Sequence, residues 1–181
     1  MNAYQLAKAE IGTFEWGEGS NPKVLGYFRD AGHENISDDA VPWCAAFVGA
    51  MLERSGVKGT GKLTARSYLN WGKPVDLQDA REGDVVVFKR GNSSWQGHVA
   101  FYVRHQGNAI HVLGGNQTDQ VNITVYSGAS LIGVRRAIES PRPEPKPAPQ
   151  RPDIPETAQK PSAGLISALL AFILSIFGGR K

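Results

Sequence analysis

The sequence predicts an α+β domain, with N-terminal helices packed on an antiparallel sheet of about five strands, followed by a tether and a C-terminal apolar helix. Three observations carry this prediction. Apolar residues recur at helical spacing through roughly the first 70 positions. Alternating, β-branched runs separated by turn residues fill the stretch from Asp84 to Ile138. At Pro141 the composition changes abruptly, and eight of the 21 residues to Pro161 are proline.

Helices are expected over about Ala3–Gly12, Pro22–Ala31, Pro42–Ser55 and Thr64–Trp71. The third is the most informative. Asp38 and Asp39 can cap it, and Pro42 suits a first turn because its ring pre-sets φ and its missing N–H would be unpaired there. Phe47, Val48, Met51 and Leu52 form an apolar stripe, and Gly56 can end the run. The only cysteine, Cys44, falls in the first turn. Unpaired N–H groups and the positive end of the helix dipole favour a thiolate there. The competing account of a lone cysteine is a small buried hydrophobe.

Strands are expected over Asp84–Lys89, Gly97–Val103, Ala109–Leu113, Val121–Tyr126 and Gly133–Ile138. Gln106-Gly107-Asn108 and Gly114-Gly115-Asn116 supply turns between them. In the second strand Val99, Phe101 and Val103 share one face, while His98, Ala100 and Tyr102 share the other.

A cysteine nucleophile needs an imidazole to take its proton and later protonate the leaving amine. His98 opens its strand after a glycine, where a side chain can reach a cleft. His33 in a polar loop, His105 at a turn and His111 in the next strand compete with it. Asn116, in the Gly114-Gly115-Asn116-Gln117 loop, can orient an imidazole as the third member of a Cys-His-Asn site; a plain Gly-Gly-Asn turn also accounts for that loop. Glu15, Trp16, Asn21 and Asp39 precede the nucleophile and can shape a substrate cleft together with Trp43 and Trp95. Gln117 can bind a peptide carbonyl.

Charge and composition exclude several classes. The net charge of +3 arises in the last 41 residues, which hold six basic and three acidic side chains; residues 1–140 hold 14 of each sign. An electroneutral globular part argues against a nucleic-acid-binding face. One cysteine excludes a disulfide framework and a multi-cysteine zinc site, and the four histidines show no HExxH spacing, so neither metal nor cofactor is expected. The first residues, Met1-Asn2-Ala3-Tyr4-Gln5, lack the charged start and apolar core of a secretory signal.

The organisation is then a globular domain at 1–140, a proline-rich extended linker at 141–161 and an apolar tail at 162–181. Pro161 to Gly179 carries no charge, and Arg180-Lys181 close the chain. Such a run approaches the length of about 20 residues that a membrane span needs. A transmembrane helix through 162–179 is the expectation, with an interfacial helix as its rival. Scattered small residues also allow self-association.

Together these residues resemble a known group. A cysteine at a helix start in Trp43-Cys44-Ala45-Ala46-Phe47-Val48 is followed by Gly83-Asp84-Val85-Val86-Val87-Phe88, then Gly97-His98-Val99-Ala100-Phe101-Tyr102, then Leu113-Gly114-Gly115-Asn116-Gln117. The combination resembles the papain-like cysteine peptidases and amidases of the CHAP and NlpC groups, most of all a phage-associated branch. The resemblance spans about residues 5–138. It implies a peptidoglycan hydrolase of the endolysin type, with Cys44 as nucleophile, His98 as base and Asn116 third; a histidine serves in that position in many NlpC relatives, which keeps His111 open. The Asp-Cys-Ser sequence of many NlpC members is replaced here by Trp43 and Ala45 around Cys44. Bacterial peptidoglycan is the implied partner, with a holin or a second copy as further candidates. The implied location is the host cytoplasm before lysis, then the inner membrane facing the wall. A non-catalytic wall-binding module with a membrane-permeabilising tail, and a toxin against rival bacteria, are the alternatives.

Overall fold

A computed structural model describes residues 1–138. The tether and the apolar tail expected at 141–181 lie outside the described residues. Among the described residues no helix is long and apolar enough to cross a membrane.

Three helices come first: α1 (Ala3–Ala9), α2 (Pro22–Asp30) and α3 (Cys44–Arg54). Asn2 and Gln5 form a capping box on α1, and Asn21 caps α2 by accepting from the Lys23 N–H. The fourth expected helix is a 3-10 segment, Ala65–Asn70. Helix α3 begins two residues later than its proline suggests. Trp43 is its N-cap and makes no side-chain cap bond. Asp39 is engaged elsewhere, accepting from the backbone N–H groups of Trp16 (3.1 Å) and Asn21 (2.7 Å). Asp38 accepts from Ala40 N–H and closes a turn.

Six strands follow: β1 (Lys73–Val75), β2 (Val85–Lys89), β3 (Gly97–Gln106), β4 (Ala109–Gly114), β5 (Asn122–Ser127) and β6 (Leu131–Arg136). The fully antiparallel order is β1-β6-β2-β3-β4-β5. The strand beyond the five expected is β1. It is three residues long, contains Pro74 and forms an edge by pairing with β6.

Alternation sends the two faces of the sheet into separate cores. Val85, Val87, Val99, Phe101 and Leu113 pack with the helices, α3 above all, whose residues 44–52 are all buried. Val86, Phe88, Ala100, Tyr102, Ile110 and Val112 form a second cluster on the opposite face. The sheet curls around this second cluster. In a flat sheet β2 and β5 would lie roughly 14 Å apart, three strand spacings. Yet the rings of Phe88 and Tyr126 stack at 4.7 Å. Irregular pairing at Val87/Phe88 and at Tyr102/Arg104 accompanies the curl, as extra residues in a ladder bend a strand.

Candidate active site

Cys44 is the first residue of α3 and is 6% exposed. It borders a cleft of about 240 Å³. The cleft is lined by Val41 and Pro42 before the helix, by Leu63, Thr64 and Ala65, and by Arg90, Trp95, Gln96 and Gly97. Arg90, Trp95 and Gln96 belong to the β2–β3 connection, Gly97 opens β3, and His98 follows directly.

His98 is fully buried in the second core and stacks on Tyr126 (5.0 Å, 12° between planes). Gly97 makes this placement feasible, since a Cβ there would lie 2.7 Å from the Phe88 carbonyl oxygen. Gly97, the residue before His98, lines the same cleft as Cys44.

The residue that orients His98 is Gln117. Its Oε1 lies 3.0 Å from His98 Nε2. Its amide nitrogen donates to the Asn122 carbonyl (2.7 Å) and to Asn122 Oδ1 (2.9 Å), and Asn122 Nδ2 returns a bond to the Gln117 carbonyl (2.9 Å). Because a carbonyl can only accept, the Gln117 amide has one orientation. Its Oε1 therefore accepts, the Nε2 of neutral His98 carries the proton, and Nδ1 keeps its lone pair. That Nδ1 is buried with no protein partner.

The side chain of Asn116 is placed elsewhere. Asn116 has φ 56°, and its Nδ2 donates to Glu15 (2.6 Å), so its side chain leaves the imidazole to its neighbour. His111 is placed apart from this bond as well. It sits within β4 opposite Arg104 and Val125, while the Nε2 of His98 is taken by Gln117. His105 pairs with the Tyr102 hydroxyl (2.7 Å), and His33 follows α2; neither lines the cleft.

The expected cleft residues separate in the same way. Trp95 does line the cleft and is 68% exposed. Trp43 does not contact solvent: it is fully buried, packs on Tyr27 and Phe47, and donates its indole N–H to Glu15. Glu15 is therefore a clamp, holding Trp43 and Asn116 on one oxygen. Asp39 and Asn21 are buried in the bonds already described, and Trp16 lies outside the cleft lining. Gln117 is hydrogen-bonded to the imidazole of His98. Arg90 is a cleft residue that sequence reasoning missed. No local signal marks it, because its partners in the cleft come from distant segments.

Electrostatics also depart from the sequence reading. The start of α3 does aim backbone groups of Cys44 and Ala45 at the thiol, which favours a thiolate. Burial outweighs them and holds the thiol above its ordinary value. Burial likewise pushes His98 down to about 4, against the opposing Gln117 bond. At neutral pH the resting pair is thiol and neutral imidazole, not an ion pair.

A helix-borne cysteine and a strand-borne histidine on a curled antiparallel sheet define a papain-like architecture. Residues 36–116, a stretch that includes both Cys44 and His98, match the CHAP domain family model. Among solved structures, the wild-type endolysin LysIME-EF1 matches with a TM-score of 0.50 and 12% identity, over 75% of this chain and 62% of that one. An NLP/P60 family protein similar to lipoprotein, from Staphylococcus aureus, gives 0.49 and 19% over 76% and 41%. An NlpC/P60 family protein from Bacillus cereus gives 0.48 and 16% over 76% and 40%. The chain thus spans between 40% and 62% of the length of these three structures. No curated protein matches it.

Proposed function

We propose that the domain is a peptidoglycan hydrolase that cleaves an amide bond of the wall peptide by a Cys44–His98 thiol mechanism. The observation that carries this reading is the single free lone pair of the site. His98 Nδ1 is buried, unpartnered and deprotonated, while Nε2 is held by Gln117. Such a nitrogen takes the thiol proton as sulfur attacks the carbonyl, then returns it to the leaving amine. A water molecule next attacks the thioester, giving up a proton to the same nitrogen, and releases the acid. The N–H groups at the start of α3 can stabilise the oxyanion. The CHAP match supplies the substrate class. The reading extends to an endolysin that waits in the host cytoplasm and acts from the membrane side of the wall during lysis.

The test is release of new amino groups from purified peptidoglycan by the full chain and by Cys44→Ala. The expected result is release by the former only. Full release by Cys44→Ala ends the thiol mechanism, and binding to the wall without release by either chain would instead make the domain a wall-binding module.

A further inference from the structure

We propose that Arg90 is a specificity-determining residue that binds a free carboxylate on the peptide substrate; this rests on the hydrolase reading above. Arg90 is the only charged side chain in the cleft lining, and the lining contains no carboxylate. Among the described residues its guanidinium forms neither a salt bridge nor a hydrogen bond. By contrast, Arg54 and Arg136 are paired with acids, and Arg66 is committed to backbone carbonyls. A cation beside an otherwise apolar cleft keeps its full donor fork for a ligand. The guanidinium fork matches a carboxylate better than any neutral group.

The surroundings are preset for such a ligand. Arg66 donates to the carbonyls of Ser93 (2.6 Å) and Gln96 (2.8 Å), and Ser93 Oγ accepts from the Trp95 and Gln96 N–H groups. These bonds anchor the segment that presents Trp95 to the cleft. Arg90 and Cys44 line the same cleft, so an anion bound to the guanidinium sits in the cleft that the thiol borders. The matching substrate is an acidic peptide: a small apolar portion against Val41, Pro42 and Trp95, and a carboxylate close to the scissile amide.

Two wall peptides that differ only in that carboxylate or its primary carboxamide test the proposal. With the full chain, kcat/KM is expected to favour the carboxylate form about tenfold or more, the discrimination typical of a charge-assisted hydrogen bond. Arg90→Gln should bring the ratio close to one, and Arg90→Lys should keep part of it. Dissociation constants of both peptides with the Cys44→Ala chain read the same preference without turnover. Equal handling of the two peptides by the wild-type chain, or an undiminished preference in Arg90→Gln, overturns the proposal while leaving the hydrolase intact. A binding preference with no cleavage of either peptide removes the hydrolase reading and retains Arg90 as the recognition residue.

Discussion

Gln117 Oε1 and His98 Nε2 meet at 3.0 Å, and Asn122 fixes which end of the amide faces the ring. This one contact sets the tautomer of the imidazole and leaves Nδ1 as its basic atom. Replacing Gln117 by Ala leaves a buried N–H unpaired, a cost of about 1–3 kcal/mol, and frees the ring to turn. We expect kcat to fall roughly 10- to 100-fold, within the usual range for general-base assistance. Asn116→Ala should lower kcat much less. Steady-state rates on wall peptides compare the two, and a larger loss in Asn116→Ala would return the orienting role to that residue.

The depressed His98 value predicts the acid behaviour of the domain. Its folded pKa lies near 4, below the ordinary 6.5, so the unfolded chain binds the extra proton first. Its contribution to stability is complete above about 6.5 and is lost as pH falls through about 4, amounting to about 3 kcal/mol. The acid limb of kcat/KM should fall near 4 rather than near 6.5. Denaturant midpoints and rate profiles across this range measure both. A midpoint for His98 near 6.5 by NMR titration would contradict the buried, neutral ring.

Thiol reactivity follows from the same burial. Cys44 is held above the ordinary thiol value, so alkylation at pH 7 should be slower than for a free cysteine and should accelerate only in alkaline solution. Rates of iodoacetamide modification against pH check this. Fast alkylation well below pH 8 would show that the helix start prevails over desolvation after all.

Glu15 joins the residue before Cys44 to the loop before Gln117, accepting from both Trp43 and Asn116. Glu15→Ala strands the indole N–H of a fully buried tryptophan, and the expected loss of stability is about 1–3 kcal/mol. Glu15→Gln keeps an acceptor and should cost less. Urea denaturation of the two variants orders them.

Gly115 lies so close to α3 that a Cβ would stand 2.6 Å from Trp43 Cε3 and 2.8 Å from Phe47 Cβ. Gly115→Ala should therefore destabilise by about 1–3 kcal/mol through overpacking. Gly107→Ala, with φ 54° in a turn and no neighbour within 4 Å of the added carbon, isolates the backbone contribution. Thermal unfolding of both separates packing from conformation.

Local pattern by itself determined the kinds and order of the elements, and it singled out Cys44 and His98. Helical spacing across residues 44–52 and alternation across 97–103 are properties of the chain alone, since each period dictates which side chains share a face. Tertiary structure decided the rest. Asn116 and Gln117 are adjacent and chemically alike, and the left-handed backbone at Asn116 settles which one faces the imidazole. Pro74 hides β1 from any strand pattern, and only pairing with β6 creates it. Trp43 and Asp39 are buried and Glu15 is half-buried, each bonded to partners in distant segments that no local pattern names. The thiol and imidazole values were reversed by burial, a quantity fixed by what the whole fold places around two atoms and not by their neighbours in sequence.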